Sequence, residues 1–202
     1  MVCKFFDKNS VTLYYVIIVQ GNVIFMGKTV FAQLMSLVPD YEFGKIIDKY
    51  NGNFKAKKFT CQDQFRVMSF AQFTNRPSLR IIETTLKAFS PKLYHSGLKL
   101  IPKSTLAEFN EKKPWVIYRD FAMLLIERAK ALYRNDYFRL GIDDMVYAFD
   151  SSTIEVCLKL CPWAKFHHDK GAFKMHTLLD LRGSIPSFIW LTEGKVNDMN
   201  AL

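Results

Sequence analysis

The period of the apolar residues changes once along this chain, and that change limits the fold to helices followed by a sheet. Up to about Arg134 the apolar side chains recur at helical spacing; beyond Gly141 they fall into short runs and alternations that suit strands. In "TVFAQLMSLVP", Val30, Phe31, Leu34, Leu37 and Val38 share a face and Pro39 closes the segment. In "YEFGKIIDKYNG", Phe43, Ile46, Ile47 and Tyr50 keep that spacing and Gly52 is a stop. A basic turn, "NFKAKKFT", separates it from "CQDQFRVMSFAQFTNR", with Phe65, Met68, Phe70 and Phe73, and a short helix over "SLRIIETTLKAF" ends before Pro91. A longer helix runs from about Trp115 to Arg134, with Phe121, Leu124, Leu125 and Leu132 inward.

After that come "MVYAFD", "FKMHTLLDL" and "SIPSFIWLTEG", the last two joined by "RGS", which suits an antiparallel hairpin. Helices first and strands afterwards predict an α+β chain of two domains, divided around residues 135–144. With 202 residues, half of them hydrophobic, the chain can bury a core of its own.

A formal net charge of +9 calls for an acidic partner, a nucleic acid or an anionic membrane surface. The apolar stretch "VTLYYVIIVQGNVIFMG" is broken by Gln20-Gly21-Asn22 and offers about 15 apolar residues where a spanning helix needs roughly 20. It suits a hairpin equally well. Cys3, Cys61, Cys157 and Cys161 are too sparse for a disulfide scaffold, which makes a reducing cytoplasm the default.

"IPKSTLAEFNEKKPW" has the profile of a recognition helix: Ser104 or Thr105 as N-cap, Glu108 where a capping box wants an acid, and Lys103, Asn110, Lys112 and Lys113 around Leu106 and Phe109. The same residues equally describe a short capped helix with solvated lysines. "KFHHDKGAFK" carries Lys165, Lys170 and Lys174 among aromatics and could lie along phosphates or be a solvated loop. Cys157, Cys161, His167 and His168 invite a zinc reading, but C-x3-C-x5-H-H lacks the intervening segment of a finger. No phosphate-cradling glycine loop and no nucleophile elbow is present, so nucleotide and serine-hydrolase chemistry find no support.

The most informative carboxylate is Asp150, delivered where the apolar run "MVYAF" gives way to hydroxyls. Two readings fit it. A rigidly held, exposed acid there suits a hard cation, and Asp-Ser-Ser-Thr is equally good capping chemistry for a helix over "SSTIEVCLKL".

The segments "GKTVFAQLMSLVPDYEFGKIIDKY", "KSTLAEFNEK", "VYAFDSSTIEVCLKLCPWAKF" and "KGAFKMHTLLDLRGSIPSFIWLTEGKVNDMNAL" together resemble the N-terminal half of a DDE transposase of bacterial insertion sequences, in the insertion-sequence-four family. The resemblance runs from about Met26 to the last residue. It implies a helical DNA-binding domain over residues 26–135, then the first strands of an RNase-H-like catalytic domain over residues 145–202. In such a domain the first strand ends in the first metal-binding acid, the position of Asp150, and the family's K-x-H corresponds to Lys174 and His176 as walls of the site near metal or DNA. It also implies Mg²⁺ or Mn²⁺, with two ions held by carboxylates from several segments. Asp180 falls in the expected hairpin turn and Asp198 in a loop after the third strand, so neither matches the family's second acid.

That acid and the helix-borne Glu would lie beyond Leu202, so this chain alone is not expected to hold both ions or cut DNA. Residues 1–25 are then foreign to the family, with Met26 the natural start of a truncated copy. The expected function is binding of an element's terminal inverted repeats in double-stranded DNA, with cleavage and strand transfer in an intact relative. The expected partners are DNA and self or full-length transposase, with no membrane, in a cytoplasmic, nucleoid-associated setting. Lys103, Lys112, Lys113, Arg119, Lys174 and His176 are the expected DNA contacts and Asp150 the catalytic and metal-binding residue. The alternative is a non-catalytic DNA-binding regulator that inhibits transposition.

Overall fold

A computed structural model describes residues 29–133, 146–156, 164–167, 170–181 and 183–198. The expected N-terminal extension and the expected boundary at 135–144 lie outside them, as do Cys157, Cys161 and His168 of the zinc reading. The architecture is α+β, helices followed by a small antiparallel sheet. It divides into two compact units, separated within one helix between Met123 and Leu124.

The first unit contains α1 (Val30–Met35), α2 (Asp40–Lys49), α3 (Cys61–Phe73), α4 (Leu79–Ala88), a 3₁₀ turn at Ser90–Lys92, α5 (Leu93–Ser96), α6 (Lys103–Lys112) and the start of α7 (Val116–Tyr133). Helix starts are fixed by local chemistry. Thr29 and Ser78 accept from the backbone N–H groups of Ala32 and Ile81. Thr60 and Asp63 form a reciprocal capping box at α3. Gly97 ends α5 at φ 64°, where a side chain would be strained.

Aromatic packing holds the unit together. Phe43 stacks on Phe121 with ring centroids 4.0 Å apart, and Phe65 meets both rings edge-on at 5.3 and 5.2 Å. Ile47, Val67, Ile82, Leu86, Leu106 and Ile117 are buried with them. On α7 the burial differs from the expected stripe: Phe121 and Ile126 are buried, whereas Leu132 is 49% exposed.

Helix α6 also starts differently from its sequence reading. It begins directly after Pro102, without a side-chain cap from Ser104 or Thr105. The carboxylate of Glu83 on α4 accepts from the Lys103 N–H at 3.2 Å and replaces the local cap. Glu108, freed from capping, pairs with Lys112 one turn along at 2.6 Å.

Two carboxylates join distant parts of this unit. Burial disfavours the charge of Asp63, yet the Lys99 ammonium at 2.8 Å and the Thr60 donors outweigh it and hold the carboxyl below its usual range. Asp120 accepts from Tyr50 Oη at 2.5 Å, from Arg119 at 2.7 Å and from Lys49 at 3.4 Å, which together bring its pKa from 3.8 down to about 2. A depressed carboxylate contributes stability that is complete above about pH 4 and fades as the pH falls towards 2. Asp120→Asn is therefore expected to lower the melting temperature at pH 7, with the deficit shrinking as the pH is lowered through that window. Thermal melts of both chains from neutral to acid pH check this.

The second unit holds β1 (Tyr147–Val156), β2 (Lys165–His167), β3 (Lys170–Asp180) and β4 (Ile185–Glu193). Strand β3 is central: β1 runs antiparallel along one side, from Tyr147 opposite Asp180 to Val156 opposite Gly171, and β4 runs antiparallel along the other. Short β2 precedes β4 on that second side. The handover falls at Ala172, whose N–H donates to Ala164 and whose carbonyl accepts from Gly194. Strands β3 and β4 form an antiparallel hairpin from the Asp180–Ile185 pair onward, with Ser184 at φ 50°. Ile154, Val156, Ala164 and Phe173 form a small core on one face.

Strand β1 does not end at Asp150. It continues through Ser151–Val156, so the capped helix read over "SSTIEVCLKL" does not begin there. β-branched Thr153, Ile154 and Val156 favour the pleated conformation, and β3 is long enough to pair with all ten residues of β1.

Candidate functional site

Side chains alternate between the two faces of a sheet, and residues directly opposite on neighbouring strands share a face. The pairing of Ser151 with His176, and of His176 with Trp190, therefore puts these three on one face, together with Phe149, Lys174 and Thr192. Asp150 lies on the other face, across from Thr177 and, beyond it, Ile189. The structure thus brings Lys174 and His176 together and places Asp150 on the opposite side of the same strands.

The Lys174–His176 face is closed by Asp198, which follows β4. Lys174 Nζ donates to Asp198 Oδ1 at 3.0 Å and to the Val196 carbonyl at 2.9 Å. The Lys174 ammonium, followed by a hydrogen bond from Ser151, holds the Asp198 carboxyl below its usual range. His176 is fully buried, parallel to the Phe149 ring at 5.8 Å, with Nε2 bonded to Thr192 Oγ1 at 2.8 Å. Its Nδ1 lies 4.0 Å from Asp198 Oδ1 and has no hydrogen-bond partner. The spacing of Lys174 and His176 already placed both on one face. No periodicity could have announced Asp198, which returns from beyond β4.

Asp150 is exposed, and among the described residues β1 has β3 as its one strand partner. A two-metal site needs several converging carboxylates. Across from Asp150 stand a threonine and an isoleucine, and no group of three or more His, Cys, Asp or Glu residues that could hold a metal occurs among the described residues. Asp150 can donate a carboxylate oxygen to a hard cation, but the described residues alone do not fit the two-ion arrangement. No cleavage step follows from them.

The expected DNA contacts of the helical unit have varied surroundings. Lys112 is engaged by Glu108, and Arg119 by Asp120 while lying over the Trp115 ring at 5.4 Å. Lys103 is exposed at the start of α6. Lys113 donates to the Phe54 carbonyl at 3.0 Å and lies over the Phe109 ring.

Residues 26–99 match the model of a family described as Domain of unknown function (DUF4372), a span that reaches through α5. No curated protein and no solved structure matches the chain. No helix among the described residues is long and apolar enough to cross a membrane.

Proposed function

We propose that this chain is a DNA-binding polypeptide of the DDE-transposase type. Its helical unit grips the terminal inverted repeats of its element, and its sheet carries, in Asp150, the first acid of an RNase-H-like metal site. The observation that carries this reading is the position of Asp150. A carboxylate held on a strand of an antiparallel sheet, exposed and in no ion pair among the described residues, suits a hard-metal ligand better than a fold-stabilising role. Net positive charge and exposed lysines on the preceding helical unit support the DNA-gripping half. Magnesium or manganese would require further carboxylates from outside the described residues.

The absence of a metal-ligand cluster among the described residues favours one alternative: a non-catalytic DNA-binding regulator, which occupies element ends or joins assemblies of full-length enzyme. Purified chain should retard duplex DNA in a gel and leave supercoiled plasmid intact in Mg²⁺ or Mn²⁺. Metal-dependent nicking abolished by Asp150→Asn would overturn the regulator reading in favour of a complete enzyme. Failure to retard duplex DNA would refute both.

A further inference from the structure

The basic loop between α2 and α3 is unusually well fastened for a surface connection. Gly52 is buried at its start, where an added Cβ would lie 2.6 Å from Ile117 Cδ1 and 3.0 Å from Cys61 Sγ. The Asn53 side chain accepts from the Cys61 N–H at 2.9 Å and donates to Gln62 at 3.3 Å, tying the loop to the first turn of α3. Asn51 and Lys55 adopt positive φ, 50° and 59°, which curls the backbone tightly between them. Two lysines from elsewhere bind outward-facing carbonyls of the loop, Lys113 at Phe54 and Lys99 at Lys58.

What this fastening displays is charge. Lys55, Lys57 and Lys58 are all exposed, and none forms an ion pair among the described residues. Between Lys49 and Gln62 the sequence contains no acid. Phe54, 69% exposed, stands beside them with the Lys55 ammonium 5.2 Å from its ring centre. Three lysines without acid partners beside an exposed aromatic ring suit contact with a polyanion. On α6 and α7, by contrast, Lys112 and Arg119 are already neutralised by Glu108 and Asp120.

We propose that the Asn53–Lys58 loop, with Lys113 at its side, is the phosphate-contacting surface through which the helical unit holds double-stranded DNA. The fastened backbone holds the loop's shape before binding, so no folding step is needed, and what is ordered on contact is the lysine side chains. The contacts go to the backbone and carry no base information, so sequence selection rests elsewhere in the complex. This inference rests on the DNA-binding reading above and goes beyond it by naming the surface.

The test measures duplex affinity against salt for the full chain and for Lys55→Gln/Lys57→Gln/Lys58→Gln. Each phosphate contact contributes about 0.9 to the slope of log K against log salt, so the triple variant should lose roughly 100-fold in affinity near 0.1 M salt and flatten the slope by about 2–3. The corresponding triple arginine variant should bind like the parent. Lys45→Gln/Lys87→Gln/Lys92→Gln, which removes equal charge elsewhere, should lose far less. All substituted lysines in the loop are exposed, so melting temperatures should not change, and the single variants Lys57→Gln and Lys58→Gln provide a second reading at smaller perturbation.

Parent-like affinity and slope in the glutamine triple would overturn the loop assignment while leaving DNA binding intact. No duplex binding by the parent chain would instead overturn the reading on which it rests. Tighter binding to vesicles of phosphatidylserine and phosphatidylcholine, or to single-stranded RNA, than to duplex DNA would overturn the choice of partner.

Discussion

Phe121→Ala should destabilise the helical unit by about 3–5 kcal/mol, the usual cost of removing a fully buried phenyl ring. Phe121 is stacked on Phe43 and receives the edge of Phe65, so one truncation removes two ring contacts at once. The rings come from three different helices, α2, α3 and α7, so collapse of the neighbours into the space would have to move three helices together. Urea unfolding followed by far-ultraviolet circular dichroism checks this, with the midpoint expected to fall at unchanged slope. A Leu replacement should recover part of the loss by refilling the volume.

In the sheet, His176→Ala should be the most damaging single truncation, at roughly 2–4 kcal/mol. The ring is fully buried between strands, stacked against Phe149, and its Nε2 satisfies Thr192. Removing it leaves a cavity and withdraws one of two partners of the Thr192 hydroxyl, which also donates to the Glu193 carbonyl at 3.3 Å. Melting of the β-sheet amide I band measures the effect. The outcome also separates two roles for the K-x-H pair. A histidine that only touched DNA would, when removed, weaken binding at unchanged stability; a buried positioning residue gives the reverse.

The same pair illustrates how far the sequence was legible. Two residues apart on a strand, Lys174 and His176 had to share a face, and they do. Whether Asp150 joined them depended on the register between β1 and β3, and a one-residue slip would have reversed the answer. Local apolar alternation does not encode that register. The pairing that sets it spans Tyr147 to Val156 and Gly171 to Asp180, segments separated by residues of another strand.

In the helical unit the burial of Phe43 and Ile47 followed from spacing alone, because α2 presents one face to the core. The start of α6 did not, because its cap is a glutamate from α4, and long-range partners leave no mark in the local pattern. The start of α3 does carry a local mark, since Thr60 followed by Asp63 is a capping-box spacing. The basic turn "NFKAKKFT" was visible as charge, but its fastening by Gly52, Asn53, Lys99 and Lys113 is a property of the folded unit.

These placements separate two tasks between the two units. The helical unit carries exposed, unpaired lysines on a fixed loop, which suits sequence-independent grip. By the strand register the sheet presents two exposed acids, Asp150 and Glu193, on one face, and on the other the Lys174–Asp198 ion pair beside buried His176.

The most direct trial is fluorescence anisotropy of a labelled duplex titrated with the intact polypeptide between about 50 and 200 mM salt. Tight association at the lower concentration, weakening steeply and log-linearly as salt rises, is the predicted result. Anisotropy that stays at the level of free duplex at the lowest salt would contradict it.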